Sequence, residues 1–109
     1  MEALVPIFRV AGSEAASRSY ARLGSRLDRK HQFGTDMPFY AFLSRGNLQL
    51  HLSEHTGDAR PGALVYFYVQ AIEPIAHESG AEIEEQPWSR EGCLSAPDSN
   101  RLRIGQRKS

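Results

Sequence analysis

His51-Leu52-Ser53-Glu54-His55 carries the letters of an inverted zinc-protease motif, in which two histidines and a glutamate converge on one metal. That convergence needs a helix, where positions i and i+4 share a face. The residues around His51 instead alternate with period two. Leu48, Leu50 and Leu52 fall on one side; Gln49, His51 and Ser53 fall on the other. His51 therefore stands alone on a strand. His31 and His77 sit at no recognised ligand spacing and read as solvated. Cys93, the single cysteine, excludes an internal disulfide and an all-cysteine zinc site, and it reads as a buried, inert thiol. Glu82, Glu84 and Glu85 fit a solvated strand edge that would lend a nearby cleft negative potential. There is no nucleophile elbow, phosphate loop or dinucleotide fingerprint. Aromatic residues say more: Phe33, Phe39, Tyr40, Phe42, Tyr66, Phe67, Tyr68 and Trp88 cluster in strand-like runs. Tyr66 and Tyr68 share a face opposite Phe67, where a phenol meets a flat ligand or a second copy of the chain while its hydroxyl stays wet.

The elements that would position these groups come in two series. Leu4–Val10 is a short apolar strand with Pro6 near its start. A helix follows, with Ser13 as N-cap, Ala16, Tyr20 and Leu23 as its buried stripe, and Gly24 at its end. Strands are expected at Leu27–Phe33, Phe39–Ser44 and Leu48–Ser53. Residues 54–62 are polar and turn-rich, and the order then starts again. Leu64–Val69 is a strand, Ile72, Ile75 and Ala76 suit a short helix with Pro74 in its first turn and Gly80 beyond it, and weaker strands lie at Glu82–Glu85, Ser89–Leu94 and Arg101–Gly105.

The pattern is βαβββ twice, at an offset of about 59 residues judged from Val10 against Val69. A half this small has one helix to cover one face of four strands, so it needs the other half to be stable. The expected class is α+β: one domain over residues 1–109, with modules at 1–56 and 61–106 forming curved mixed sheets around a concave cleft. Alternation puts Val5, Ile7, Arg9, Gln49, His51, Ser53, Tyr66 and Tyr68 on the concave side. Thirteen basic residues balance thirteen acidic ones, which gives no global attraction to nucleic acid or anionic lipid. No apolar run reaches the length of a membrane span, and Met1-Glu2-Ala3-Leu4 lacks the pattern of a signal peptide, so a cytoplasmic location is expected.

Glu85-Gln86-Pro87-Trp88-Ser89-Arg90-Glu91, followed by Pro97-Asp98-Ser99-Asn100, resembles the second half of bleomycin-resistance proteins, members of the glyoxalase/vicinal-oxygen-chelate superfamily. Those proteins carry an E-Q-P-W-G-R-E-F run leading into D-P-x-G-N and a last strand. Arg9-Val10, Tyr20–Gly24 and the Leu50–Ser53 strand are similar to the same family, so the resemblance spans nearly the whole chain. Departures are Gly92 in place of phenylalanine, Ala96 in place of aspartate and Ser99 in place of glycine.

The resemblance implies the glyoxalase/bleomycin-resistance-like fold. Superfamily enzymes hold a divalent metal through four cleft positions, which here carry Val5, His51, Leu64 and Arg103. One possible ligand, beside a fixed positive charge, argues for no metal and no cofactor. The binding members imply instead a homodimer whose interface clefts sequester a flat antibiotic of the bleomycin type. The ligand-binding residues are then expected among Phe33, Tyr40, His51, Tyr66, Tyr68, Trp88 and Arg90. Arg90 and Glu91 match by motif and equally suit a structural ion pair. The alternatives are a metal-dependent enzyme of the glyoxalase or dioxygenase type, and a module that binds another protein.

Overall fold

The computed structural model describes residues 2–108. Its elements are β1 (Ile7–Arg9), α1 (Ser13–Tyr20), β2 (Arg26–Gln32), β3 (Phe39–Arg45), β4 (Leu48–Ser53), β5 (Leu64–Tyr68), α2 (Glu73–Ser79), β6 (Glu84–Glu85), β7 (Ser89–Ser95) and β8 (Arg101–Arg107), with 3-10 turns at Ala21–Leu23 and Pro97–Ser99. Two four-stranded sheets result, ordered β1-β4-β3-β2 and β5-β8-β7-β6. In each, the first strand runs parallel to the last and the others are antiparallel.

The repeat is visible in register. Ile7 pairs with His51 in the first sheet, and Tyr66, 59 positions after Ile7, pairs with Arg103 in the second. Val10 N–H donates to the Ser53 carbonyl at 2.9 Å, and Val69 N–H donates to the Gly105 carbonyl at 2.8 Å. The fold is therefore α+β with two βαβββ modules, as the residue pattern and the resemblance both indicated.

One face of each sheet is spent on a single core. Phe8, Val10, Ala41, Leu43 and Leu52 from the first sheet join Leu94, Leu102 and Ile104 from the second, with Ala16, Tyr20, Ile72 and Ile75 from the helices between them. Each helix packs against the short turn of the other module, α2 on Ala21–Leu23 and α1 on Pro97–Ser99. Fully buried Asn100 fastens the modules together. Its amide nitrogen donates to the Arg9 carbonyl at 2.9 Å, and its amide oxygen accepts from Ala63 N–H at 3.1 Å. The opposite face of each sheet consequently turns outward from the core.

Local signals explain most boundaries. Gly80 closes α2 in the left-handed conformation at φ +77°, which glycine alone adopts without a Cβ penalty, and Pro74 sits in that helix's first turn. The first strand is shorter than the apolar run Leu4–Val10, because the parallel ladder begins only at Ile7. The weak Glu82–Glu85 run contributes just Glu84 and Glu85.

Ser13 is not the N-cap. Gly12 occupies that place, and Ser13 is the first helical residue, its Oγ buried without a partner. The cap comes from Glu54, whose carboxylate accepts from Ser13 N–H at 2.7 Å and from Phe39 N–H at 3.0 Å. One side chain thus ties the start of α1 to the start of β3. Burial pushes the Glu54 pKa up, but those two N–H donors and nearby Lys30 together hold it below the usual carboxylate value.

Glu54→Ala should lower stability by about 1–2 kcal/mol at neutral pH, as loss of a helix cap does. Because the folded-state pKa is depressed, the contribution is present above the unfolded carboxylate pKa and vanishes as pH falls through the folded one. The melting temperatures of Glu54→Gln and the native chain should therefore converge as the pH falls below the usual carboxylate range. Ser99 has φ +61°, the left-handed region that favours glycine. Ser99→Gly should raise stability by about 0.5–1 kcal/mol, read from chemical denaturation.

Candidate functional site

The open face of the first sheet is arranged in rows across its four strands. Arg9, Ser53, Tyr40 and His31 make one row; Ile7, His51, Phe42 and Arg29 make the next. Across the rows, Tyr40 Oη lies 2.8 Å from His51 Nδ1, a hydrogen bond that fixes the imidazole. Phe42 packs edge-on to both rings, 5.2 Å from Tyr40 and 4.6 Å from His51, and the Arg29 guanidinium covers it at 4.3 Å. Burial, then the Arg29 charge, lowers the His51 pKa, so the imidazole is neutral at pH 7. Beyond β2, Phe33 meets His31 edge-on at 4.4 Å and His55 at 5.4 Å. Ser53 is fully buried, its hydroxyl donating to Asp58 at 2.6 Å.

The open face of the second sheet bears a shallow hollow of about 750 Å³ edged by Tyr66, Glu82, Glu84, Trp88, Cys93 and Arg103. Glu91 is its hub. One carboxylate oxygen accepts from Tyr66 Oη at 2.7 Å, Trp88 Nε1 at 3.2 Å and Ser89 Oγ at 3.2 Å. The Tyr66 hydrogen bond is the chief cause of a lowered Glu91 pKa. Gly105 makes the Tyr66 bond possible, since a Cβ there would lie 2.3 Å from the Tyr66 hydroxyl. Tyr68 packs 5.0 Å from Tyr66, with the Arg107 guanidinium 4.0 Å over its ring. Trp88 stays 57% exposed although its indole nitrogen is held.

The expected ligand residues thus divide into two groups on separate sheets: Phe33, Tyr40 and His51 on the first, Tyr66, Tyr68 and Trp88 on the second. Arg90 joins neither. It projects from the core side of β7, where it pairs with Glu85 at 3.0 Å and with Glu73 of α2. Cys93 also departs from expectation: it is exposed, paired in register with Arg103 on the open face. Buried Leu94 fixes that parity, because its neighbour must point the other way. Phe42, Arg29 and Glu91 enter the site without having been singled out as ligand-binding, and the same alternation would have found them. His51 and His55 do not converge: His51 sits on β4 and His55 lies beyond its end. Among the described residues no group of three or more possible metal ligands occurs.

A second cavity, about 520 Å³, opens between the modules on the core side, against Leu23, Leu43, Leu50, Val65, Phe67 and Leu102. Its lining is mostly apolar. The charged and hydrogen-bonding groups gather on the open faces instead.

This architecture is that of bleomycin-resistance proteins. The chain superposes on a bleomycin resistance determinant encoded on transposon Tn5 with a TM-score of 0.79, at 17% identity over 100% of both chains. A bleomycin-binding protein complexed with bleomycin gives 0.75, at 18% identity over 99% of this chain and 100% of the other. A glyoxalase I variant from Zea mays gives 0.72, at 18% identity over 97% of this chain but 45% of the enzyme. No curated protein matches in sequence. A family model described as glyoxalase superfamily protein matches residues 1–108, and the chain belongs to that superfamily.

The Glu91 hub makes Trp88, the only tryptophan, a reporter of its own site. Trp88 emission should titrate with a midpoint below the usual carboxylate range, and Tyr66→Phe should move that midpoint up. Gly105→Ala, which displaces the Tyr66 ring, should reproduce the upward shift. A fluorescence pH titration of the three proteins checks this.

Proposed function

We propose that this protein binds a flat small molecule, of the kind a bleomycin-type antibiotic presents, in clefts at the interface of a homodimer, and that it does so without a metal. The observation that carries this reading is the division of the site. Two aromatic faces, one around Tyr40, Phe42 and His51 and one around Tyr66, Tyr68 and Trp88, turn outward from a shared core. A cleft lined by both therefore needs a second copy of the chain. Exposed indole and phenol rings suit a planar heteroaromatic, and Glu82, Glu84 and Glu91 suit a cationic group beside it. The bleomycin-binding protein of the same fold is complexed with bleomycin.

The residue chemistry supports binding over metal-dependent catalysis. By the resemblance, the superfamily's four metal positions correspond to Val5, His51, Leu64 and Arg103. Only His51 offers a ligand atom, and its Nδ1 is already taken by Tyr40. At the position equivalent to His51, Arg103 puts a permanent cation where a metal would be repelled. These residues do not fit a catalytic divalent ion, and sequestration does not require one.

Isothermal titration with bleomycin, with and without a chelator, tests the reading, together with sedimentation analysis for the dimer. The expected result is micromolar or tighter binding that a chelator leaves unchanged. Trp88→Ala should weaken it by several-fold to about tenfold, the worth of one stacked aromatic. A monomer with no affinity for the drug, or a stoichiometric divalent ion bound at His51, would overturn the proposal.

A further inference from the structure

The open face of the first sheet differs chemically from that of the second. Its charged groups are Arg9, Arg26, Arg29 and Asp28, with Asp58 held by the Ser53 hydroxyl and with His31 and His51 beside them. Asp28 is committed to Arg26 at 2.9 Å, and the Arg9 guanidinium turns back to the neighbouring Val10 carbonyl. Arg29 makes no ion pair among the described residues; its charge rests on the Phe42 ring. By contrast, Arg90 on the far side of the molecule is saturated by two carboxylates. A guanidinium held flat on an aromatic ring keeps its edge donors available for a two-point bond to an oxyanion.

We infer that the row Arg29–Phe42–His51–Ile7 is a subsite for a carboxylate carried on an aromatic ring. Arg29 grips the carboxylate, and the neutral His51 imidazole, in the tautomer whose Nδ1 accepts from Tyr40 O–H, adds an Nε2–H donor. Ile7, 40% exposed at the other end of the row, supplies an apolar shelf for the ring. Four strands spaced at roughly 4.8 Å make the row about 14 Å long, enough for a substituted aromatic acid lying across it. The inference rests on the reading of this face as one wall of a ligand cleft, and it narrows the ligand. A molecule satisfying both walls carries an anionic group at one edge and a cationic group near the glutamates of the facing sheet.

Benzoate and its neutral counterpart benzamide are the probes, titrated into the isotope-labelled full chain while the Arg29 Nε–H and His51 ring signals are followed by NMR. Benzoate should shift both signals saturably, with an affinity at least about tenfold above that for benzamide, the value of a charge-assisted hydrogen bond. Arg29→Gln should abolish that preference, and Arg103→Gln, which removes an arginine from the other sheet, should leave it intact. Equal response to benzamide, or equal loss in both variants, would overturn the subsite. If bleomycin still binds in that case, the cleft stands and only its anionic wall is refuted. If neither benzoate nor bleomycin binds, the cleft reading falls and takes the subsite with it.

Discussion

Each sheet has two faces, and one shared core consumes one face of each. That constraint organises the whole molecule. Neither module is large enough to bury its apolar strand face under a single helix of seven or eight residues, so the two faces are covered jointly. Phe8, Leu52, Leu102 and Ile104 must point inward for the chain to fold at all, and a one-residue slip in any strand would expose them. The residues left outward are those that alternate with them. The site is thus the complement of the core, and the parity that stabilises the fold also fixes which side chains can meet a ligand. Asn100 secures the arrangement from within: an amide this buried is tolerated because both ends are hydrogen-bonded, one to each module.

On this duplicated frame the two halves have diverged at corresponding places. The diagonal that joins Tyr40 to His51 in the first module is occupied by Glu91 and Arg103 in the second, as the shared register shows. The first pair is neutral, since His51 is held unprotonated by burial and by Arg29. The second carries full charges, with Glu91 ionised under the donors of Tyr66, Ser89 and Trp88. Backbone geometry is common to both, so the difference in what each face can recognise lies in side chains alone. Fold and chemistry are separable here.

Much of this was legible in the residues. The Leu48–Ser53 alternation defined β4 to the residue, and the Val10–Val69 offset matched equivalent hydrogen bonds in the two sheets. What escaped did so for physical reasons. A lone cysteine is usually buried, but Cys93 follows the parity of Leu94 rather than the average behaviour of its type. Arg90 and Glu91 are adjacent in a matching motif, yet adjacency in a strand puts them on opposite faces, one in an ion-pair network and one in the site. The Glu54 cap could not be read from sequence because it joins positions 41 residues apart. Ser13 looked like a cap because serine before an apolar stripe generally is one; here a carboxylate from β4's end had already supplied the acceptor.

Thirteen positive and thirteen negative charges cancel over the chain, and net charge therefore says nothing about what the open faces attract. Screening in physiological salt confines each charge to about 8 Å, so a ligand in a cleft senses the neighbouring wall rather than the whole protein. In the proposed cleft, Arg29 on one wall and Glu82, Glu84 and Glu91 on the other, with Arg103 beside them, act as separate recognition elements, even though they sum to little. A neutral chain with polarised walls selects for the placement of charge within a ligand instead of its total. This is a stricter criterion than bulk attraction, because a misplaced charge must be desolvated against a like one.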